Sequence, residues 1–180
     1  MLSLSRRFVS GLGFAALALA AAIATPAVAQ QRPLEQAFAA SLMDVPQEKP
    51  VVGGSFYVPA YSSVSISQGR ARADFAVTLS VHNTSETEPL ILRRIAYFDT
   101  AGKLVESYLT KPVAVRPFAT VEVHIPTTDV RGGTGANFIV DWGAVAPITE
   151  PAVEALMIGS IGAGHYSFIS PGRSLKVVGQ

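Results

Sequence analysis

The chain of 180 residues contains no cysteine. No disulfide can staple the fold, and no thiol is present to carry the lipid of a bacterial lipoprotein. Charge is sparse and balanced, with 14 basic against 13 acidic residues. That balance argues against a surface for nucleic acid or anionic membrane. No long amphipathic helical pattern is present to cover a parallel sheet. Stability must therefore come from an apolar core, which about 120 residues can build in two layers without covalent help.

The N-terminus carries an export pattern. Arg6 and Arg7 give a basic start, residues 14–24 are uninterruptedly apolar, and Ala27-Val28-Ala29 has the small-x-small form of a signal-peptidase site. The apolar run is shorter than the roughly 20 residues of a membrane helix. A cleavable signal peptide over residues 1–29 is expected, cut after Ala29. The mature protein would then lie in the periplasm or be secreted, with no membrane span. Ser5-Arg6-Arg7 leaves the general and twin-arginine routes both open. Without residues 1–29 the balance becomes 12 basic to 13 acidic.

Residues 30–54 read as a tether bounded by prolines and glycines, with an optional short helix over Leu34 to Met43. Residues 55–180 have a different texture. Phe56 to Pro59 is a short strand stopped by Pro, expected at a sheet edge. Ala73, Phe75, Val77, Leu79 and Val81 alternate with polar neighbours, the period of a half-buried strand. Leu90 to Phe98 is apolar on both parities around Arg93-Arg94, so its buried face is ambiguous. One of those arginines could pair with a carboxylate at a sheet edge. Asp99 to Gly102 is a hairpin turn in which Asp99 can bond the backbone. Val121, Val123 and Ile125 alternate again. Val153 to Ile158, Tyr166 to Ile169 and Leu175 to Val178 are further strands. About nine short strands at turn spacings of roughly 8–12 residues predict an all-β, immunoglobulin-like antiparallel β-sandwich.

The most distinctive stretch is Arg131 to Trp142. Three of the four residues from Gly132 to Gly135 are glycine, and Phe138, Val140 and Trp142 then alternate with Asn137, Ile139 and Asp141. It reads as a glycine corner that delivers a strand, and the chain's single Trp, into the core. The spacing Gly133-x-Gly135 fails as a phosphate cradle, because the loop opens a strand and not a helix.

Nothing catalytic assembles in the sequence. His82, His124 and His165 lack metal-ligand spacing, and no cofactor motif is present. Asp99, Asp141 and Glu154 are the carboxylates nearest apolar strands, but turn and surface roles explain them. No Gly-x-Ser-x-Gly elbow occurs. Asn83-Thr84-Ser85 fits a glycosylation sequon, read as accidental in a chain with a bacterial signal.

Tyr57 to Ser62, Leu79 to Thr84, Tyr97 to Val105, Gly132 to Trp142, Glu154 to Gly159 and Ser167 to Arg173 together resemble the bacterial domain-of-unknown-function family 3124, over about residues 55–175. The resemblance implies an exported single domain with no assigned activity.

The function expected is thus an exported, periplasmic, non-enzymatic binding or interaction module for a small ligand or an envelope protein. Its candidate ligand-binding residues are Gly133, Thr134, Gly135 and Asn137 of the glycine loop, with Tyr57, Tyr61 and Trp142. Tyr and Trp give contact area at low entropic cost, although core packing is the ordinary use of a Trp. Two alternatives stand beside it. An envelope hydrolase would need two of the carboxylates to face one cleft. A structural component of an envelope assembly would show an exposed apolar patch or a long unpaired edge strand.

Overall fold

The computed structural model describes residues 32–178, so the signal-peptide expectation over residues 1–29 lies outside it. The strands are β1 (Leu42–Met43), β2 (Val52–Pro59), β3 (Ser63–Ile66), β4 (Ala71–His82), β5 (Leu90–Phe98) and β6 (Leu104–Ser107). They continue with β7 (Val113–Val115), β8 (Thr120–Ile125), β9 (Asn137–Ala144), β10 (Ala152–Ile161), β11 (Gly164–Pro171) and β12 (Arg173–Val178). All pair antiparallel in two sheets. One sheet runs β1-β7-β5-β9-β2-β12 with β6 beside β5, and the other runs β11-β10-β4-β3 with β8 beside β4. The fold is an all-β sandwich, as the alternation predicts. The count exceeds nine partly because the two-residue β1 and the Pro-bracketed β7 also pair.

Alternation places the core. On β4, Ala73, Phe75, Val77, Leu79 and Val81 are buried and the residues between them are not. They meet Phe138, Val140 and Trp142 of β9 and Phe56 and Val58 of β2 in one apolar cluster. Burying such side chains is worth about 1.5–3 kcal/mol each.

The ambiguous strand β5 owes its mixed parity to a bulge. Leu92 lies opposite Trp142 and Arg94 opposite Asp141, so Arg93 is an extra residue. The insertion switches parity: Leu90 and Leu92 enter the core before it, Ile95 and Tyr97 after it. Arg93 and Arg94 are both exposed as a result.

Two expectations need correction. β2 is not an edge strand, because it lies between β9 and β12. Pro59 is tolerated because the pairing with β12 reaches only to Tyr57, opposite Arg173. Arg94 does pair with Asp141, at 2.8 Å, but between two interior strands and not at an edge.

The helix of the N-terminal stretch is short, a turn at Leu34–Ala37 followed by a 3-10 turn at Ala39–Ser41. Four helical residues cannot stand alone. Leu34 is buried, and Phe38 and Leu42 pack on the core. At the other end of that stretch β2 begins at Val52, so Gly53 and Gly54 are strand residues. Among the described residues no helix is long and apolar enough to cross a membrane.

Candidate functional site

The glycine loop is closed on itself and on its neighbours. Gly133 has φ +72°, a left-handed conformation that favours glycine. Its N–H donates to Ser62 Oγ at 2.9 Å, and the Thr134 hydroxyl donates to the Ser63 carbonyl at 2.9 Å. Thr100 Oγ1 donates to the Gly132 carbonyl and accepts from the Gly135 N–H, both at 2.9 Å. Asn137 Nδ2 reaches back to the Gly135 carbonyl at 3.4 Å. The Gly133 and Gly135 amides and the Thr134 hydroxyl are thus committed to the scaffold.

Its entry is held by Arg131. The guanidinium donates from Nε to Asp129 Oδ1 at 2.8 Å and from its terminal nitrogen to Oδ2 at 2.7 Å, and it reaches Glu106 at 3.4 Å. Arg131 holds the Asp129 carboxyl below its ordinary range, and Asp129 raises Arg131 in turn. Under the loop lies Tyr97, fully buried. Its hydroxyl has no hydrogen-bond partner of good geometry, although Ser62 lies alongside. Burial pushes the phenols of Tyr97 and Tyr108 above their ordinary value.

The other three candidates lie elsewhere. Trp142 is fully buried, opposite Gly54 on one side and Leu92 on the other, with its indole N–H unpaired. Its place is the core. Tyr57 is half-buried on β2, alternating with buried Phe56 and Val58, so it points to the outer face of the same sheet. Tyr61 stands at the flank, its ring 5.9 Å from that of Phe168. The structure brings Gly133, Thr134, Gly135 and Asn137 together and buries Trp142 away from them, whereas Tyr57 shares the outer face with Asn137 on the neighbouring strand.

The carboxylates are just as scattered. Asp99 accepts from the Ala101 and Lys103 amides at 2.9 and 2.8 Å, closing its turn. Asp141 accepts from Ser55 Oγ at 2.6 Å and from Arg94, on the outer face of the first sheet. Glu154 alternates with buried Val153 and Ala155, so it faces outward from the second sheet. No cleft is shared, and the paired-carboxylate hydrolase loses its geometry. The histidines hydrogen-bond nearby hydroxyls: His82 with Ser80 and Thr120, His124 with Thr78, His165 with Ser160. No cluster of three or more metal-ligating side chains occurs among the described residues. Asn83 is 2% exposed, which bars its sequon from modification in the folded state.

An open flank emerges instead. β11 pairs with β10 and, among the described residues, has no strand on its other side. Phe168 lies opposite buried Met157, and Tyr166 opposite Gly159, so both point between the sheets. They nevertheless stay 38% and 52% exposed. Phe168 packs edge-on against Phe75 at 5.4 Å and beside Tyr61. On the outer face Ile169 and Ile158 are also exposed. The strand carries no Lys, Arg, Asp or Glu, the residues that usually guard an edge. The strand over Tyr166 to Ile169 was visible in the sequence, but the absence of a neighbouring strand is a property of the assembled sheet.

No curated protein matches the chain. A solved structure, titled "Crystal Structure of Thermotoga maritima 1070", is similar at 12% identity over 67% of this chain and 92% of that one, with a TM-score of 0.40. A likeness of that degree is too slight to inform fold or function. A family model described as "Protein of unknown function (DUF3124)" matches residues 53–175.

Proposed function

Because the chain belongs to the DUF3124 family of proteins of unknown function, we propose its role from its own geometry: an exported, periplasmic, non-enzymatic interaction module that accepts an extended segment of a partner protein as an added strand along β11. The carrying observation is that edge. An eight-residue strand offers its unpaired backbone groups, and two aromatic side chains aimed between the sheets remain half-covered. An added strand would satisfy the backbone and set alternate apolar side chains beside Tyr166 and Phe168, while covering Ile169 outside. Since β11 carries no Lys, Arg, Asp or Glu, the fitting segment alternates apolar residues with small polar ones. Export rests on the basic, apolar and small-x-small pattern of residues 1–29.

A second copy of the chain fits less well. Large side chains carry about 150–250 Å² each, so the exposed parts of Tyr166, Phe168, Ile158 and Ile169 amount to roughly 400 Å². A stable interface needs about 800 Å² per partner. The backbone ladder and the inter-sheet insertion of an extended segment supply what that patch lacks.

The test uses hydrogen exchange on the purified full chain with an alternating Val-Thr octapeptide and a version carrying a central Pro. Saturable protection of β11 amides by the first peptide alone, lost in Ile169→Lys, supports the reading. Protection elsewhere, equal binding by the Ile169→Lys variant, or a dimer that Ile169→Lys dissolves would each overturn it.

A further inference from the structure

The two adjacent arginines of the β5 bulge have different fates. Arg94 is neutralised by Asp141, whereas Arg93 has no carboxylate within 4 Å among the described residues. Arg93 donates one bond, from a terminal nitrogen to the Trp142 carbonyl at 2.8 Å. That bond lays the guanidinium across the sheet toward β2, where Gly53 makes room for it. A Cβ on Gly53 would stand 2.6 Å from the Trp142 carbonyl oxygen and 3.3 Å from the guanidinium. Beside it opens a cleft of about 300 Å³, lined by Pro50 to Ser55 and by Arg93.

The chemistry of this lining is one-sided. Pro50 and Val51 supply apolar walls, and Val51 is 54% exposed. Ser55 supplies a hydroxyl that is already given to Asp141. Among the described side chains of the lining Arg93 is the only ionised group, and its remaining N–H donors are not taken up by the bond to Trp142. An arginine in a bulge is re-aimed by the extra residue, a recurrent device beside binding sites. A guanidinium beside apolar walls fits a monoanion attached to a small apolar body. Guanidinium and carboxylate also pair with charge-assisted hydrogen bonds.

We propose that this cleft, on the outer face of the first sheet and separate from the β11 flank, binds a carboxylate carrying a small branched apolar group. Either a free short-chain acid or a peptide ending in an aliphatic residue would present that chemistry. The test is an amide NMR titration of the purified full chain with isovalerate, the neutral isovaleramide, inorganic phosphate, and an acetylated dipeptide ending in valine. Isovalerate or the dipeptide should shift the Gly53, Gly54 and Gly143 amides saturably, and the tighter of the two identifies the source. Arg93→Gln should weaken that binding at least about tenfold. Val51→Glu, which adds a negative charge at the exposed rim and leaves the buried packing alone, should weaken it too. Isovaleramide or phosphate binding as well as isovalerate, no saturable shift with either acid, or unchanged affinity in a folded Arg93→Gln or in Val51→Glu would overturn the proposal.

Discussion

Replacing Gly132 by alanine should unseat the glycine loop more than any other single methyl added there. A Cβ at this position would land on the Tyr97 hydroxyl and stand 2.6 Å from both Tyr97 Cζ and Ala136 Cβ. Neither neighbour can give way. Tyr97 is wholly buried with its ring 5.0 Å from that of Phe138, and Ala136 is 2% exposed. Overpacking of this kind costs about 1–3 kcal/mol and occasionally more, against a gain of about 0.4–1 kcal/mol from the stiffer unfolded chain. A net loss of about 2 kcal/mol is expected, or about 4–8 °C in Tm for a domain of this size. Thermal unfolding followed by circular dichroism would read it. The control is Tyr97→Phe, which removes the hydroxyl the new methyl would strike. That hydroxyl is buried without a good partner, so its removal alone should be neutral or stabilising by about 1 kcal/mol. In the Tyr97→Phe background, Gly132→Ala should lose visibly less, with a coupling of about 1 kcal/mol between the sites. A Gly132→Ala protein within 0.5 °C of the parent, or an equal loss in both backgrounds, would refute the packing argument.

Asn83→Asp should destabilise more than Asn83→Ala, by about 2 kcal/mol in denaturant unfolding, because Asn83 Nδ2 donates to the Glu88, Val115 and Arg116 carbonyls and a carboxylate there would face three oxygens. Equal losses would mean that the amide merely fills space. Asp129 is held down by Arg131, so its contribution is complete above its ordinary 3.8 and is lost as pH falls through the depressed folded value. In an acid titration of stability, Asp129→Asn should flatten that limb by about 0.5 kcal/mol, the scale of a half-exposed pair. At the alkaline end, the raised Tyr97 and Tyr108 favour the neutral phenol, so their contribution is present below 10 and declines as pH rises above it. Tyr108→Phe should make stability above pH 10 less steep, and an unchanged slope would count against burial as the cause. The native indole should emit as a dry fluorophore, unquenched by iodide, since Trp142 is fully buried.

Period-two alternation was legible before any fold was known, because on a strand a residue's face depends only on its neighbours. β4, β8 and β9 therefore announced both their existence and their buried sides, and the glycine corner announced a Trp bound for the core. β5 resisted for a physical reason: its bulge exchanges parity in mid-strand, and a bulge is defined by the partner strand rather than by the strand itself. The candidate loop was visible as glycine, but its closure was not. Ser62 and Thr100, which occupy its donors, are 71 and 35 residues away in the chain.

Local composition thus determined the strand texture, the lack of any covalent staple and the burial of the indole, since each depends on residue type and short-range spacing. Only the assembled sheets decided which strands became edges. That outcome placed β2 inside and left β11 open, and it laid Arg93 over Gly53 while giving Asp141 to Arg94. Edges and counterions are relations between distant segments, and they exist only once the two layers have closed on each other.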